Sequence, residues 1–249
     1  MDITGNTILV TGGGTGIGRG LAEALHAAGN AVIIAGRRRA PLEEVAAGRP
    51  GLHVATLDID DAAAIRDFAA RMAAEHPGLN VLVNNAGIMR VENVLADPEA
   101  LSIAEATITT NLLGPIRLTA ALLPQLLARP KAAVVNVSSG LAFVPRADTP
   151  TYSATKAAIH SYSVSLRHQL RDTPVRVIEL APPLVATDLT PGQRENPRAL
   201  PLESFIRESM ALLSAEPDAD EILVERVKAQ RTAEATGRFA AVFDLINPR

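Results

Sequence analysis

Six short apolar runs, rich in β-branched residues, recur along the first 180 residues of the chain. Each run is continuously apolar and does not alternate with polar positions, which is typical of parallel strands that are buried on both faces. The predicted strands are Thr7–Val10, Ala31–Ala35, Leu52–Leu57, Val81–Val83, Ala132–Val137 and Val175–Leu180.

Longer stretches rich in alanine and leucine separate these runs and show the apolar spacing of amphipathic helices. The predicted helices are Ile17–Ala28, Pro41–Ala47, Ala62–Glu75, Glu99–Leu127 and Thr151–Arg171. Alternating strands and helices predict an α/β fold, a doubly wound parallel sheet of the Rossmann type whose right-handed crossovers place helices on both faces. Because no linker, repeat or low-complexity tract divides the chain, we expect residues 1–249 to form a single domain.

Composition and charge narrow the classes of function. Of the 249 residues, 47% are apolar and 20% are charged, which is ordinary for a globular protein. The net charge of −3 argues against a nucleic-acid partner, and the lack of cysteine excludes disulfides, thiolate metal sites and cysteine nucleophiles. No apolar stretch reaches the roughly 18 residues of a membrane span, and the N-terminus does not resemble a signal peptide. We therefore expect a soluble cytoplasmic protein that binds neither membranes nor nucleic acids.

A glycine-rich turn follows the first predicted strand and opens a helical pattern. Residues 11–18 read TGGGTGIG. Gly12 permits the tight turn, Gly16 a close approach of the backbone to a pyrophosphate, and Gly18 close contact between helix and strand, while the helix N-terminus favours the phosphate charge. The turn therefore predicts a dinucleotide site; the alternative is a glycine turn that binds no ligand.

Three arginines and no acidic residue stand at positions 37–39, after the second predicted strand. An NAD site usually offers an acidic residue to the ribose 2′-hydroxyl here, whereas guanidinium groups match the charge and geometry of the 2′-phosphate of NADP. Arg37 and Arg38 are thus predicted to bind NADP(H), and Arg39 to be solvated. The alternative is that all three arginines only solvate a loop.

The glycine spacing and several later motifs together resemble the short-chain dehydrogenase/reductase family. The later motifs are Leu57-Asp58-Ile59, Asn84-Asn85-Ala86-Gly87, Thr110-Asn111, Asn136-Val137-Ser138-Ser139 and Tyr152-Ser153-Ala154-Thr155-Lys156, and the pattern spans residues 5–190. Residues 139–143, 152–160 and 166–170 also resemble a bacterial subgroup whose named member is the oxidoreductase associated with D-alanyl-lipoteichoic acid genes.

The resemblance implies a nicotinamide cofactor, with Asp58 meeting the adenine and Asn85 the ribose, although both residue types are also common in caps and turns. Pro183 stands where the family commonly has glycine. A proline at this position fixes φ and removes an N–H from the loop. The implied cofactor positions are Thr11, Gly12, Gly14, Thr15, Gly16, Ile17, Gly18, Arg37, Arg38, Asp58, Ile59, Asn85, Ala86, Gly87, Tyr152, Lys156, Pro182, Val185 and Thr187.

Tyr152 and Lys156 lie four residues apart, so they share one face of a predicted helix. A nearby ammonium should lower the pKa of Tyr152, which could then act as general acid in carbonyl reduction or general base in alcohol oxidation. The resemblance implies that Lys156 also binds the nicotinamide ribose, that Ser139 polarises the substrate carbonyl, and that Asn111 links Lys156 to solvent through water. Asn111 could instead mark a helix kink, and Ser138 is predicted to make only local hydrogen bonds.

The residues expected to contact the substrate follow the fifth and sixth predicted strands. They are Ser139, Leu141, Phe143, Leu184 and Leu189. Except for Ser139 they are apolar, which favours a small hydrophobic ketone or aldehyde, although such residues are also generic core residues. The polar segment Asp188–Pro201 predicts a loop, so we expect a substrate loop at about 187–205; the alternative is a disordered surface insertion.

These residues predict an NADP(H)-dependent oxidoreductase that interconverts a carbonyl and a secondary alcohol. The alternative is a non-catalytic protein that senses NADP(H). The histidines show no metal-ligand spacing, so we expect no metal, and we predict packing or surface roles for His160 and His168. Because the family's C-terminal glycine motif is missing, a homodimer through the helix that carries Tyr152 is favoured over the family tetramer.

Overall fold

The computed structural model of the chain describes residues 1–95 and 100–248. Its strands are β1 (Thr7–Thr11), β2 (Ala31–Gly36), β3 (Leu52–Thr56), β4 (Val81–Asn84), β5 (Ala132–Val137), β6 (Val175–Leu180) and β7 (Glu221–Ile222). They form one parallel sheet in the order β3-β2-β1-β4-β5-β6-β7. The direction of winding reverses between β1 and β4, which is the point where sheets of this kind bind ligands at their carboxyl ends.

Helices flank the sheet. They are α1 (Gly16–Ala27), α2 (Arg39–Ala46), α3 (Ala62–Glu75), α4 (Ala100–Ile108), α5 (Gly114–Leu127), α6 (Pro150–Gln169), α7 (Leu202–Ala215), α8 (Lys228–Arg231) and α9 (Phe239–Ile246). A π-helical turn, Thr109–Leu113, joins α4 to α5, and short 3₁₀ turns stand at Gly140–Ala142 and Glu225–Val227. Across the two described ranges, none of the helices has both the length and the apolar character needed to cross a lipid bilayer.

Two hydrophobic cores lie on opposite faces of the sheet, because successive strand residues point to opposite sides. Ile8 and Val10 of β1 join the core under α1, α2 and α7, whereas Leu9 joins the core under α3, α5 and α6. This two-sided burial explains why the strands are continuously apolar in sequence. The predicted single Rossmann-type α/β domain, with helices on both faces, is confirmed.

The predicted strands agree with β1–β6 to within one residue at each end. The seventh strand escapes the sequence prediction because Glu221–Ile222 is too short and too polar to form an apolar run. The helices α7, α8 and α9 also lie outside the predicted set.

Two predicted segments need correction. The single helix expected at Glu99–Leu127 is interrupted by the π-helical turn, and Glu99 lies outside the described residues. The loop expected at about 187–205 ends earlier, because α7 begins at Leu202 and buries Phe205 in the core.

Candidate active site

A cleft of about 320 Å³ opens at the carboxyl ends of the central strands. Its walls combine the glycine turn, both candidate arginines and the segment after β4, all of which the sequence predicts as cofactor contacts. The lining residues are Thr11, Gly12, Gly14, Thr15, Ala35, Gly36, Arg37, Arg38, Pro41, Leu42, Leu57, Ile59, Ala86, Gly87, Ile88 and Thr110.

The glycine turn leaves no room for side chains at two of its positions. Gly12 has a φ of +66°, in the left-handed region that favours glycine. A Cβ at Gly18 would lie 2.3 Å from the carbonyl oxygen of Gly12. The backbone therefore forms an open cradle at the N-terminus of α1, and such a cradle fits the pyrophosphate of a dinucleotide.

Thr11 ties the glycine turn to the segment after β4. Its Oγ1 accepts hydrogen bonds from the N–H groups of Asn85 and Ala86, each at 3.0 Å, and donates to the carbonyl of Val83 at 3.2 Å. The side chain of Asn85 donates back to the carbonyl of Thr11 at 2.9 Å. The Asn85 carboxamide thus takes part in the hydrogen bonds that join Thr11 to the segment after β4, while its expected ribose contact stays a prediction.

Arg37 and Arg38 stand exposed on the wall of the cleft, just after β2. Arg37 Nη1 lies 3.7 Å from a carboxylate oxygen of Asp60, and the other carboxylate oxygen of Asp60 accepts a 2.7 Å hydrogen bond from Thr110. The sequence does not single out Asp60, although it follows Asp58-Ile59 directly. Asp58 is exposed and accepts a hydrogen bond from the Asp60 N–H at 3.1 Å, which is the turn role that the sequence left open.

Ser139, Tyr152 and Lys156 come together where β5 meets α6, and all three are buried. The Tyr152 hydroxyl lies close enough to Ser139 for that side chain to lower its pKa. Lys156 Nζ lies 5.6 Å from the centroid of the Tyr152 ring and donates a 2.8 Å hydrogen bond to the carbonyl of Val137. The predicted catalytic residues therefore form one cluster.

Burial dominates the electrostatics of this cluster. It raises the pKa of Tyr152 to about 12, against the opposing hydrogen bond from Ser139. It also lowers the pKa of Lys156 to about 8, against the opposing charge of Glu179. The expected net lowering of the Tyr152 pKa is thus wrong for the protein groups by themselves, because desolvation by burial dominates it.

Asn111 lies in the π-helical turn and is buried. Its Oδ1 accepts from the Ile88 N–H and its Nδ2 donates to the Ile88 carbonyl, both at 2.8 Å. A Cβ at Gly87 would lie 3.2 Å from Asn111 Oδ1 and 3.8 Å from Lys156 Nζ. Asn111 and Lys156 therefore both approach Gly87, while the expected water-mediated link between them stays a prediction. Asn111 also fixes the backbone of Ile88, a cleft residue that the sequence motifs did not mark.

Ser138 differs from its prediction. Its hydroxyl is buried and, within the described ranges, has no hydrogen-bond partner, so it does not make the expected local hydrogen bonds. Its backbone N–H instead joins the strand pairing by donating to the Leu180 carbonyl at 2.9 Å.

The loop between β6 and α7 folds back over the glycine turn. Thr187 is buried, and its Cβ would be 3.5 Å from a Cβ placed at Gly16. The buried Gln193 donates to the Val185 carbonyl at 2.9 Å and to Thr187 Oγ1 at 3.2 Å. These contacts give the loop an internal anchor, so it is not the disordered insertion that the sequence left as an alternative.

The residues predicted to contact the substrate separate in the structure. The carbonyl of Pro182 accepts a 2.8 Å hydrogen bond from the Gly140 N–H, which brings the two segments after β5 and β6 together. Leu141, Phe143 and Leu184 are half-buried near this junction. Leu189 instead lies on the surface, with 37% of its area exposed.

Residues 228–248, which we call the C-terminal clasp, pack against the segment that follows Ser139. The clasp residue Asn247 accepts from the Ala147 N–H at 2.6 Å and donates to the Pro145 carbonyl at 3.1 Å. Arg231 lies 5.0 Å from the centroid of the Phe143 ring. Val144 packs with Ala233 and Val242 of the clasp in a small separate core.

Glu92 anchors the start of the helix that carries Tyr152. It is buried, and its carboxylate accepts from the Thr151 hydroxyl at 2.6 Å and the Thr151 N–H at 3.1 Å. A carboxylate at a helix N-terminus also interacts favourably with the helix dipole. No motif marks Glu92 in the sequence, since it lies 59 positions before its partner.

Comparisons with known proteins follow the same pattern as the motifs. A family model described as short chain dehydrogenase matches residues 6–198. The chain is 42% identical over 237 residues to the uncharacterized oxidoreductase DltE of Bacillus subtilis (strain 168), covering 94% of this chain and 93% of that one. It is 34% identical over 180 residues to the NADP-dependent 3-hydroxy acid dehydrogenase YdfG of Escherichia coli (strain K12), covering 72% of each.

A solved structure extends the likeness to the whole fold. A short chain dehydrogenase from Burkholderia cenocepacia J2315, in complex with NADP, matches with a TM-score of 0.84. The match covers 100% of both chains at 28% sequence identity.

Proposed function

This chain belongs to the short chain dehydrogenase family of oxidoreductases, with DltE among its relatives, and from that premise we propose that it interconverts a carbonyl group and a secondary alcohol with NADP(H). The observation that carries the proposal is the buried cluster of Ser139, Tyr152 and Lys156 beside the glycine-lined cleft. When bound, the nicotinamide supplies or accepts the hydride.

The protein groups divide the remaining chemistry between them. Tyr152 holds the proton that a carbonyl oxygen needs during reduction, and Ser139 offers that oxygen a hydrogen bond. With its pKa raised to about 12, the Tyr152 phenol is protonated at neutral pH, which is the form that reduction requires. The ammonium of Lys156 stabilises the phenolate that remains once the proton has left. Asn111 keeps the cleft backbone in place beside Lys156.

Arg37 and Arg38 support the choice of NADP over NAD, although folds of this kind serve both cofactors. Both guanidinium groups face the cleft at the carboxyl end of β2, where a 2′-phosphate would be bound. NADP in the Burkholderia cenocepacia complex and in the name of the Escherichia coli relative agrees with this choice.

A small apolar ketone or aldehyde is the substrate class that we infer from Leu141, Phe143 and Leu184. We also infer a homodimer, because Val164 on α6 and Ile108 and Leu113 near the π-helical turn are exposed apolar residues with 47%, 39% and 36% of their areas accessible. Light scattering during size-exclusion chromatography tests the dimer, and a monomeric mass would contradict it.

The decisive experiment follows NADPH oxidation by absorbance against a panel of ketones, aldehydes, diketones and β-keto acids. NADH and the Tyr152→Phe variant run in parallel. We expect turnover with NADPH, weaker turnover with NADH and none in the variant. Tight NADPH binding without turnover of any carbonyl would instead support a cofactor-sensing protein.

A further inference from the structure

A buried acidic side chain on β6 contacts α6 one helical turn beyond Lys156. Glu179 on β6 is fully buried, and its Oε2 lies 2.7 Å from Nδ1 of His160 on α6. Tyr152, Lys156 and His160 follow one another at intervals of four residues, so they lie along one face of α6. The prediction that His160 has only a packing or surface role is therefore incomplete, because it binds a buried carboxylate.

The groups around Glu179 leave its charge only partly neutralised. Its register neighbour on β7, Glu221, is paired with Arg231 of α8 through contacts of 2.8 and 2.9 Å, and the Arg231 charge also acts on Glu179 without a hydrogen bond to it. The second oxygen of Glu179, Oε1, is buried and has no hydrogen-bond partner in the part of the chain that the structure describes. A buried carboxylate with one hydrogen bond retains a strong field on nearby cations, because little solvent screens it.

Lys156 is a buried cation that lacks a carboxylate partner among the described residues. Its ammonium is buried, its hydrogen-bond acceptor is the neutral carbonyl of Val137, and none of the described carboxylates forms an ion pair with it. A buried ammonium held by a neutral acceptor tends to lose its proton. Glu179 lies close to this ammonium. Val137, whose carbonyl holds Lys156, pairs with Leu180, the neighbour of Glu179 on β6, and the contact with His160 places the Glu179 carboxylate on the α6 side of the sheet. The negative charge of Glu179 therefore works against the loss of the proton.

We propose that Glu179, oriented by His160, is the counter-charge that keeps Lys156 protonated inside the protein and so sets the upper end of the pH range in which Tyr152 and Lys156 work together. Glu179 is then a positioning residue that acts through Lys156 and does not touch the substrate. The catalytic consequence rests on the proposed function, whereas the charge pairing belongs to the folded chain itself.

A metal ion is a different explanation for the same cluster, since donor atoms of His160, Glu179 and Glu221 lie within 4.8 Å of one another. The hydrogen bonds favour the ion-pair network instead. His160 Nδ1 already binds Glu179, and both oxygens of Glu221 already bind Arg231.

The experiment uses the fact that the chain has three lysines, Lys131, Lys156 and Lys228. Protein labelled with ¹³C at the lysine ε-carbon gives three NMR signals, which the variants Lys131→Arg and Lys228→Arg assign. We expect Lys156 to titrate near pH 8 in the wild-type protein. In Glu179→Gln, which keeps the shape and removes the charge, we expect its midpoint to fall by about one pH unit.

Glu225→Gln is the matched control, because Glu225 is the carboxylate that binds Lys228 at 2.7 Å. Glu225→Gln should lower the titration midpoint of Lys228 and leave that of Lys156 unchanged. Glu179→Gln should lower the midpoint of Lys156 and leave that of Lys228 unchanged. Glu179→Asp, which retains the charge, should hold the Lys156 midpoint near its wild-type value. Circular dichroism checks folding, and Glu179→Met replaces the Gln variant if the latter does not fold, since an apolar side chain of similar size is often tolerated at such sites.

The proposal is overturned if Lys156 titrates alike in the wild-type and Glu179→Gln proteins, or if Glu225→Gln moves Lys156 equally. A shift of the Lys156 midpoint on adding Zn²⁺ to chelator-treated protein would also overturn it in favour of a metal. NADPH-dependent reduction gives a second readout: at pH 8, a midpoint lowered by one unit should reduce kcat/KM roughly fivefold. The NMR titration decides the charge pairing even if the panel yields no turnover, so the two proposals can fail separately.

Discussion

The Asn111 carboxamide encloses the backbone of Ile88 from both sides, accepting from its N–H and donating to its carbonyl at 2.8 Å each. The π-helical turn makes this possible by placing a buried Asn within an otherwise helical segment. Asn111 Nδ2 also donates to Thr155 Oγ1 at 3.4 Å, so this one side chain joins the wall of the cleft to α6, the helix of Tyr152 and Lys156.

Asn111→Ala should weaken both the fold and the cofactor cleft. It leaves two backbone groups of Ile88 without their partners, which should lower the free energy of unfolding by about 2–4 kcal/mol. Urea denaturation measures the stability, and fluorescence titration measures NADPH affinity. The stability of Asn111→Asp, which retains the acceptor and loses the donor, should lie between those of Asn111→Ala and the wild-type protein. Equal stability of all three proteins would show that the Asn111–Ile88 hydrogen bonds do not stabilise the fold.

Tyr152→Phe should reduce kcat by about 10³-fold or more and leave NADPH binding intact, because only the proton donor is lost. The chain has two tyrosines, which makes Tyr162→Phe a matched control on the same helix. The Tyr162 hydroxyl lies near Thr119, away from Ser139 and Lys156, so its loss should leave kcat near the wild-type value. A Tyr152→Phe protein that retained a tenth of the wild-type kcat would rule out the proton-donor role.

Replacing Arg37 or Arg38 by Ala should raise KM for NADPH about tenfold, which corresponds to about 1.4 kcal/mol, and should change KM for NADH little. Arg39→Ala is the control, because Arg39 is exposed and pairs with Glu43 on its own helix at 2.7 Å. Initial-rate kinetics with both cofactors provide the measurement. Equal losses for NADPH and NADH would show that the arginines do not read the 2′-phosphate.

Lys156→Met should inactivate the protein and make it more stable at pH 7. Burial lowers the pKa of Lys156 from 10.5 to about 8, so at pH 7 the folded protein bears the cost of an ammonium that the unfolded chain exposes to water. Between pH 8 and 10.5 the unfolded state binds more protons, and wild-type stability from this group therefore rises with pH. After allowing for the lost hydrogen bond to Val137, we expect a gain of about 2 kcal/mol at pH 7.

The stability advantage of Lys156→Met should shrink as the pH rises from 7 to 9, because wild-type Lys156 becomes neutral. Thermal unfolding of both proteins across this range gives the comparison. A variant less stable than the wild-type protein at pH 7 would mean that Lys156 contributes net stabilisation.

Local patterns explain what the sequence could predict. The strands from Thr7 to Leu180 could be predicted because burial on both faces leaves an unbroken apolar run in the sequence. The Tyr152–Lys156 pair could be predicted because two residues four positions apart on a helix lie on the same face. Both signals lie within a few neighbouring residues.

Contacts between distant segments account for what the sequence did not reveal. His160 and Glu179 are 19 positions apart, and Ala147 and Asn247 are 100 positions apart, with no motif that joins the members of either pair. The surroundings of Lys156 also come from distant segments and could not be predicted from the sequence. Its spacing from Tyr152 marked the pair, but the carbonyl of Val137 and the desolvation that set its pKa come from β5 and the surrounding core.

The C-terminal clasp also bears on the order of protein synthesis. A ribosome produces Ser139, Tyr152 and Lys156 well before it produces Arg231 and Asn247. A nascent chain can therefore hold Ser139, Tyr152 and Lys156 while the segment after Ser139 still lacks the residues that support it.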